Sequence, residues 1–85
     1  MNDKASIEQR VKQIVYNQDV GYMKELGITS PGALAEDTTF EYLRFDSLDI
    51  IEVVMDVGLM FGIEIDWVMF RTVGDLVRAA GGETR

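Results

Sequence analysis

Ser47 is the hydroxyl best placed for chemistry, because it stands at the beginning of a well-defined helical pattern. A helix N-terminus offers free backbone N–H groups and partial positive charge, so a phosphodiester on the serine oxygen would be favourably placed there. Asp46 or Ser47 could equally be a plain helix N-cap, and spacing alone favours that interpretation. Cysteine and histidine are absent, which excludes disulfides, thiolate metal sites and every His-based triad.

Carboxylates follow Ser47 at helical spacing. Glu52 lies three residues after Asp49 and four before Asp56, an arrangement that could bind a divalent metal. Spaced acids on an amphipathic helix are more often a solvated face, and we favour that interpretation. A small metal-dependent enzyme is a rival that the lack of histidine disfavours. We therefore predict no metal site and no catalytic residue.

The helix that positions these groups is predicted from Ser47 to Phe61. It has an inward apolar face, an opposite acidic face and an apolar strip between them. The inward face is Ile50, Val53, Val54, Val57 and Phe61, the acids are Asp49, Glu52 and Asp56, and the strip is Leu48, Ile51 and Met55. The residues of this strip border the buried face, so the sequence is equally consistent with a core position and a surface position for each of them. Gly58 would mark fraying or close packing, and Gly62 fits a C-terminal cap.

Two further helices flank this one. The first has one apolar face and ends near Tyr16 to Gln18, and its start is capped by Asp3 or by a Ser6 to Gln9 capping box. The last begins at Thr72, in capping-box spacing with Asp75, and ends at Gly81 and Gly82. The first helix's face comprises Ile7, Val11, Ile14, Val15 and Gln18, and the last helix's comprises Val73, Leu76, Val77 and Ala80.

The remaining segments are predicted as connections with little helix. Residues 19–46 form a long connection with one helical turn after Pro31, and a second turn lies around Asp66 to Phe70. There is no convincing pair of strands. The fold class is therefore all-α: a small bundle of three long helices plus one or two short ones, in a single domain over residues 1–85.

Charge and hydropathy narrow the class of partners. The net charge is −7, and residues 47–70 contain five acids and no base. This segment would repel nucleic acid and anionic membranes and attract basic patches, although solubility is the commoner reason for such acidity. The longest mostly apolar stretch, Ile50 to Ile65, is too short and too charged to span a bilayer, and the N-terminus lacks a signal-type apolar region. We expect a soluble, cytoplasmic monomer.

Several motifs together resemble the acyl carrier protein family, which includes the peptidyl carrier domains. The similar segments are Leu43-Arg44-Phe45-Asp46-Ser47-Leu48-Asp49, then Ile51, Glu52, Val54-Met55, Phe61 and Glu64-Ile65, then Thr72-Val73-Gly74-Asp75-Leu76-Val77, with Ile7-Glu8-Gln9-Arg10-Val11 and Phe40 upstream. The resemblance covers nearly the whole chain. A lone Asp-Ser-Leu is a weak signal, but it is specific at the start of the second helix of an acidic helical domain.

The resemblance implies that Ser47 is esterified with 4′-phosphopantetheine, taken from coenzyme A by a phosphopantetheinyl transferase, with Asp46 and Leu48 beside it in the cofactor site. Acyl groups would then be carried as thioesters on that arm, and the chain itself would have no catalytic group. Partners would be acyl-transfer, synthase or ligase enzymes with basic patches, in fatty acid, polyketide or related biosynthesis. The implied partner-binding residues are Leu48, Asp49, Ile51, Glu52, Met55 and Asp56.

Departures from the family pattern predict a specialised carrier. Gly58-Leu59-Met60 stands where fatty-acid carriers continue a run of glutamates, and Arg44 replaces a common glycine. An acyl chain could tuck between the helices, although a plain core is the simpler interpretation for each lining residue. The lining candidates are Val54, Val57, Phe61, Ile65, Trp67 and Phe70. The alternative function is an unmodified acidic adaptor that binds a protein through the second long helix.

Overall fold

The computed structural model describes residues 4–65 and 70–81. Within these residues the chain forms α1 (Lys4–Gln18), α2 (Val20–Glu25), a 3-10 turn (Pro31–Ala33), α3 (Ser47–Phe61) and α4 (Val73–Ala80). The only pairing of strand type among them is an isolated bridge between Thr39 and Thr72. The all-α prediction is confirmed. None of the described helices has the length and apolar character needed to cross a membrane.

The core forms where α1 packs against α3 and α4. Its buried side chains come from every α-helix and from the segment that precedes α3. They are Ile7, Val11, Val15, Tyr16, Met23, Leu34, Phe40, Leu43, Phe45, Val53, Val54, Val57, Val73, Leu76 and Val77. The predicted inward faces are thereby confirmed at their centres, while Ile14, Ile50, Phe61 and Ala80 pack at the margin as partly buried residues.

The predicted start of α1 was wrong in one respect. Ser6 is the third helical residue and is half-buried, so it is not the N-cap and the Ser6 to Gln9 capping box does not apply. The other proposed cap, Asp3, lies outside the described residues. The end of the helix at Gln18 agrees with the prediction.

A short helix lies where the sequence predicted only a connection. Asp19 caps α2, since its Oδ1 accepts a hydrogen bond from the Tyr22 N–H at 3.1 Å, and Met23 on this helix is fully buried. Six residues are too few for apolar periodicity to show and too few to be stable alone, so tertiary packing decides the conformation. The turn predicted after Pro31 is present as the 3-10 turn.

Residues 34–46 approach α3 along the start of α4. The Phe40 N–H donates to the Arg71 carbonyl at 2.8 Å, and the Gly74 N–H donates to the Glu36 carbonyl at 2.7 Å. A Cβ at Gly74 would lie 2.9 Å from that carbonyl oxygen, so the close approach requires glycine. These bonds, together with the stacked rings of Phe40 and Phe45, fix the segment that leads to Ser47.

The capping box predicted at the start of α4 is confirmed. Thr72 Oγ1 accepts from the Asp75 N–H at 3.1 Å, and Asp75 Oδ2 accepts from the Thr72 N–H at the same distance. Burial raises the pKa of the Asp75 carboxyl, but hydrogen bonds from the Arg71 and Thr72 N–H groups and from the Arg78 guanidinium outweigh it and lower the pKa. Gly81 ends the helix, whereas Gly82 and residues 66–69 of the second predicted turn lie outside the described residues.

Candidate functional site

The start of α3 separates the capping side chain from the accessible hydroxyl. Asp46 is the N-cap: its Oδ1 accepts from the Asp49 N–H at 2.9 Å, and Asp49 Oδ2 accepts from the Asp46 N–H at 3.2 Å. Ser47 is the first helical residue and is exposed. Since its hydroxyl makes no hydrogen bond with any described residue, it is not engaged in capping and faces solvent.

The loop before Ser47 contains a strained residue. Arg44 has a φ of 61°, a left-handed conformation that costs a residue with a side chain about 1 kcal/mol or more. Its neighbours Leu43 and Phe45 are both buried and hold the loop in this shape. The Arg44 guanidinium lies 5.7 Å from the centroid of the Tyr22 ring, within range of a cation–π contact. Glycine, which the family pattern favours here, would adopt this conformation without strain.

Carboxylates cluster beside Ser47 on the outer side of α3. Gln18, at the end of α1, donates from Nε2 to Asp49 Oδ1 at 3.1 Å and to Glu52 Oε1 at 2.8 Å. This contact orients two acids and ties them to α1. One feature of the sequence hints at this contact, because Gln18 is a polar residue that ends an otherwise apolar helical face. Among the described residues, no group of three or more acids is arranged to hold a metal ion.

The apolar strip of α3 lies at the surface. Leu48 is 62% exposed and Met55 is 60% exposed, while Ile51 is half-buried. None of the three belongs to the buried core cluster. The sequence left core and surface positions open for these residues, and the structure places them at the surface. Leu59 is more exposed still, at 79%, and extends the strip towards the end of the helix. Glu52 and Asp56 are exposed beside it, and Asp49 is half-buried.

A cleft of about 650 Å³ runs beside the second half of α3, and we call it the α3 groove. Its lining is Ile51, Val54, Met55, Gly58, Leu59, Gly62, Ile63, Glu64 and Ile65. A Cβ at Gly58 would lie 2.9 Å from the Ile63 carbonyl oxygen, which confirms close packing there. The chain can turn back in this way because Gly62 takes a left-handed φ of 67° as the predicted cap, and the Ile63 N–H donates to the Gly58 carbonyl.

The residues suggested as lining for an acyl chain do not form one space. Val54 and Ile65 line the α3 groove, whereas Val57 is buried in the core and Phe61 packs at its margin. Phe70 instead lines a second cleft of about 630 Å³, beside Asp46 and Arg44. Trp67 lies outside the described residues. The plain-core interpretation therefore fits Val57 best.

Comparisons with known proteins agree with this arrangement. Residues 23–80 match the family model described as "Phosphopantetheine attachment site". An acyl carrier protein of Nitratidesulfovibrio vulgaris (strain DP4) is 36% identical over 61 residues, which cover 72% of this chain and 71% of that protein. The chain belongs to the acyl carrier protein family. A Chlamydia trachomatis (serovar L2) acyl carrier protein is 33% identical over 76 residues, covering 86% of this chain and 90% of the relative. No solved structure matches.

The prosthetic group of an acyl carrier protein is 4′-phosphopantetheine, and its attachment needs an accessible hydroxyl. The chain has three serines: Ser6, Ser30 and Ser47. Ser6 is half-buried and precedes the matched region, so it fits poorly. Ser30 and Ser47 are both exposed within that region, but Ser30 precedes only a three-residue turn. Ser47 alone combines exposure with the start of a long helix, so the residues there fit the group.

Proposed function

We propose that Ser47 carries the 4′-phosphopantetheine arm and that the chain presents acyl groups, held as thioesters, to partner enzymes in fatty acid, polyketide or related specialised biosynthesis. The observation that supports this most directly is the exposed Ser47 hydroxyl at the start of α3, free of any capping bond. When bound, the group supplies a thiol, which the cysteine-free chain lacks.

The chain's own part in attachment is to offer an oxygen nucleophile. In the proposed transfer a bond forms between Ser47 Oγ and the pantetheine-bearing phosphorus of coenzyme A, and the adenosine bisphosphate portion leaves. The hydroxyl proton passes to a base of the transferase, since the chain contains no histidine and the neighbouring Asp46 and Asp49 carboxylates are engaged in the capping box. The first N–H groups of α3 and its dipole favour the resulting phosphodiester.

Partner docking is proposed on the outer side of α3, next to Ser47. Exposed apolar side chains there would make contact, and neighbouring carboxylates would steer basic patches of the transferase and acyl-handling enzymes, an effect that salt weakens. The residues are Leu48, Ile51 and Met55 for apolar contact and Asp49, Glu52 and Asp56 for charge. We propose that the carrier is a cytoplasmic monomer that does not insert into membranes and does not bind nucleic acid, which its net charge of −7 would repel.

A dedicated pathway is the finer proposal. Leu59 is 79% exposed and Met60 is 48% exposed. In the general fatty-acid carriers that this chain resembles, glutamates usually occupy these positions. Apolar side chains at these positions do not attract basic partners as glutamates do, but they gain free energy when a partner buries them. The exchange therefore favours a different set of partners. This supports a synthase, ligase or acyltransferase specific to this carrier.

Thioester loading tests the proposal. A promiscuous phosphopantetheinyl transferase supplied with acetyl-coenzyme A should add the acetylated arm, and neutral hydroxylamine should then release the acetyl group while the arm stays attached. Both steps are followed by intact mass. With the unacylated arm in place, a malonyl transferase of the general fatty-acid pathway should transfer malonyl to this chain much more slowly than to the carrier protein of that pathway.

Two results would count against the proposal. An acetyl group that resists hydroxylamine on the modified chain would contradict a thioester carrier. Efficient malonyl loading by the general transferase would contradict the dedicated pathway and leave the carrier role intact.

A further inference from the structure

We infer that Arg44 and Arg71 bind the phosphodiester of the 4′-phosphopantetheine arm and hold the first part of the arm over the cleft beside the loop that precedes Ser47. This cleft has a volume of about 630 Å³, and we call it the loop cleft; its lining includes both arginines, Phe45, Asp46, Ile50 and Phe70. The inference rests on the proposed function only for the attachment of the arm at Ser47.

The fold brings two cations from distant parts of the chain to the loop cleft. No lysine or arginine occurs in residues 47–70, so Arg44 and Arg71 are the nearest cations in sequence on either side of this acidic segment. The Phe40 N–H donates to the Arg71 carbonyl at 2.8 Å, which joins the two segments. Asp46, the residue before the attachment point, lines the same cleft. Both arginines therefore border the cleft that adjoins the attachment point.

Both guanidinium groups have unused hydrogen-bond donors. The Arg44 guanidinium lies 5.7 Å from the centroid of the Tyr22 ring, and it forms no hydrogen bond or ion pair with any residue that the structure describes. The same holds for the Arg71 side chain within residues 4–65 and 70–81, although its backbone N–H donates to Asp75 Oδ2 at 2.9 Å. A guanidinium with free N–H groups suits the paired oxygens of a phosphate.

The backbone of Arg44 supports a role for its side chain. A φ of 61° is strained for arginine, and the glycine that the family pattern favours here would avoid that strain. Strained residues are typical of binding sites, where the side chain is retained for its contacts. The contact with Tyr22 also restricts the guanidinium before an anion arrives, which lowers the entropy lost on binding.

The charges around Ser47 favour a phosphodiester as the ligand. Asp46 and Asp49 flank Ser47 in the capping box, so a phosphodiester on its oxygen adds a negative charge beside two carboxylates. Like charges repel, and two guanidinium groups in the adjoining cleft offset that repulsion. The phosphodiester is also present in every loaded state of the carrier, whereas a carboxylate at the end of the arm depends on the cargo.

The apolar lining of the loop cleft suits the next part of the arm. In pantetheine two methyl groups follow the phosphate, and Ile50 and Phe70 are half-buried at the cleft. Ile50 lies three residues after Ser47, on the same side of α3. Contact between the methyl groups and these side chains removes apolar area from water. Binding of the phosphodiester by the arginines therefore directs the arm across the loop cleft.

A titration with dimethyl phosphate tests the anion site on the unmodified full-length chain. Dimethyl phosphate is a phosphodiester with a single negative charge. The Nε–H signals of Arg44 and Arg71 should shift with one common dissociation constant. The signal of Arg10, which is exposed on α1 and lies outside the loop cleft, should not shift.

Three variants give the titration its control. Arg44→Gly and Arg71→Gln should each weaken binding of dimethyl phosphate by at least about threefold, because a charge-assisted contact is lost. Arg10→Gln makes the same change in net charge and should alter the affinity by less than about twofold, because salt screens exposed charges outside the site. Glycine suits the left-handed backbone at residue 44, and Arg71 is exposed, so both variants keep the fold.

The modified chain provides the second measurement, once intact mass confirms attachment at Ser47. The Arg44 and Arg71 signals should shift in the same direction as with dimethyl phosphate. Nuclear Overhauser effects should join the pantetheine methyl groups to Ile50 and Phe70. The ³¹P resonance should become sharper in the Arg44→Gly/Arg71→Gln double variant, because the phosphodiester then moves more freely.

Three results would overturn the inference. Equal loss of dimethyl phosphate affinity in Arg10→Gln would show that general charge, not the loop cleft, controls binding. Unchanged arginine signals in the modified chain would show that the phosphodiester lies elsewhere. Shifts that appear with a succinylated arm, but not with the unacylated arm, would assign the arginines to a carboxylate of the cargo. If no transferase modifies Ser47, the proposed function fails, and the titration alone then decides whether the loop cleft binds a phosphodiester.

Discussion

Asp46 and Ser47 are adjacent but have different surroundings. The Asp46 carboxylate accepts a hydrogen bond from the Asp49 N–H, and the Asp46 N–H donates to the Asp49 carboxylate, whereas the Ser47 hydroxyl is exposed to solvent. From sequence alone either residue fitted the N-cap, because both side chains can accept a bond from an N–H two or three positions on. Only the geometry decides which oxygen is used for capping and which remains available for modification.

Arg44 leads to a prediction about loop strain. Its φ of 61° favours glycine and strongly disfavours β-branched side chains. Arg44→Gly should change the free energy of unfolding by less than about 1 kcal/mol, because relief of strain offsets the lost Tyr22 contact and the greater freedom of the unfolded chain.

Arg44→Val is the matched variant and should lower the free energy of unfolding by about 1–2 kcal/mol. Urea unfolding followed by circular dichroism measures both changes. Equal destabilisation by glycine and valine would show that the arginine side chain, and not the backbone conformation, stabilises the loop.

At the scale of the element, α3 and α2 differ in how far sequence can predict them. The bounds of α3 follow from fifteen residues of apolar periodicity between a capping aspartate and a left-handed glycine, and the structure confirms both ends. By contrast, α2 has six residues and contains Gly21, so its helical state depends on the burial of Met23. Burial of that kind comes from other parts of the chain and leaves no local pattern.

The strip on α3 shows a second limit of prediction. Leu48, Ile51 and Met55 have the same apolar type and helical spacing as core residues, and they border the buried face. Their exposure depends on what the rest of the chain places opposite them, which periodicity does not contain. The same limit explains why the lining of the α3 groove was only partly anticipated, at Val54 and Ile65.

Gly58 gives the prediction for the element. Alanine normally favours helix by up to about 1 kcal/mol over glycine, but here the added Cβ would lie 2.9 Å from the Ile63 carbonyl oxygen. Gly58→Ala should therefore lower the free energy of unfolding by about 1 kcal/mol or more and shift amide signals at Ile63.

Gly21→Ala is the control within α2. The nearest atom to its added Cβ is Asp19 Oδ1 at 3.8 Å, an ordinary contact, so the free energy of unfolding should rise by about 0.5–1 kcal/mol. Thermal unfolding of both variants under the same conditions provides the comparison. A stabilising Gly58→Ala would contradict the close approach that shapes the groove.

At the scale of the whole molecule, the residues that hold the Ser47 loop in place differ from the α3 residues that are exposed for contact with partners. Residues 36–40 are bonded to residues 71–74, which holds the loop before Ser47 against α4. The core contacts of α1 and α4 lie on one side of α3. Asp49 and Glu52 lie next to α1, where Gln18 binds both, and Leu48, Met55 and Leu59 are exposed to solvent. A carrier that visits several enzymes needs such a surface: fixed in shape, acidic near the arm and open to solvent.

The central claim is that Ser47 is where the arm is attached, and intact mass tests it most directly. The purified chain is incubated with coenzyme A and several phosphopantetheinyl transferases, alongside Ser47→Ala and Ser30→Ala. Ser30 is the matched control, because it is an exposed serine before a helical turn and makes no capping bond. The account predicts a gain of one phosphopantetheine group in the unaltered chain and in Ser30→Ala, and none in Ser47→Ala. A gain that persists in Ser47→Ala, or no gain with any transferase, would contradict it.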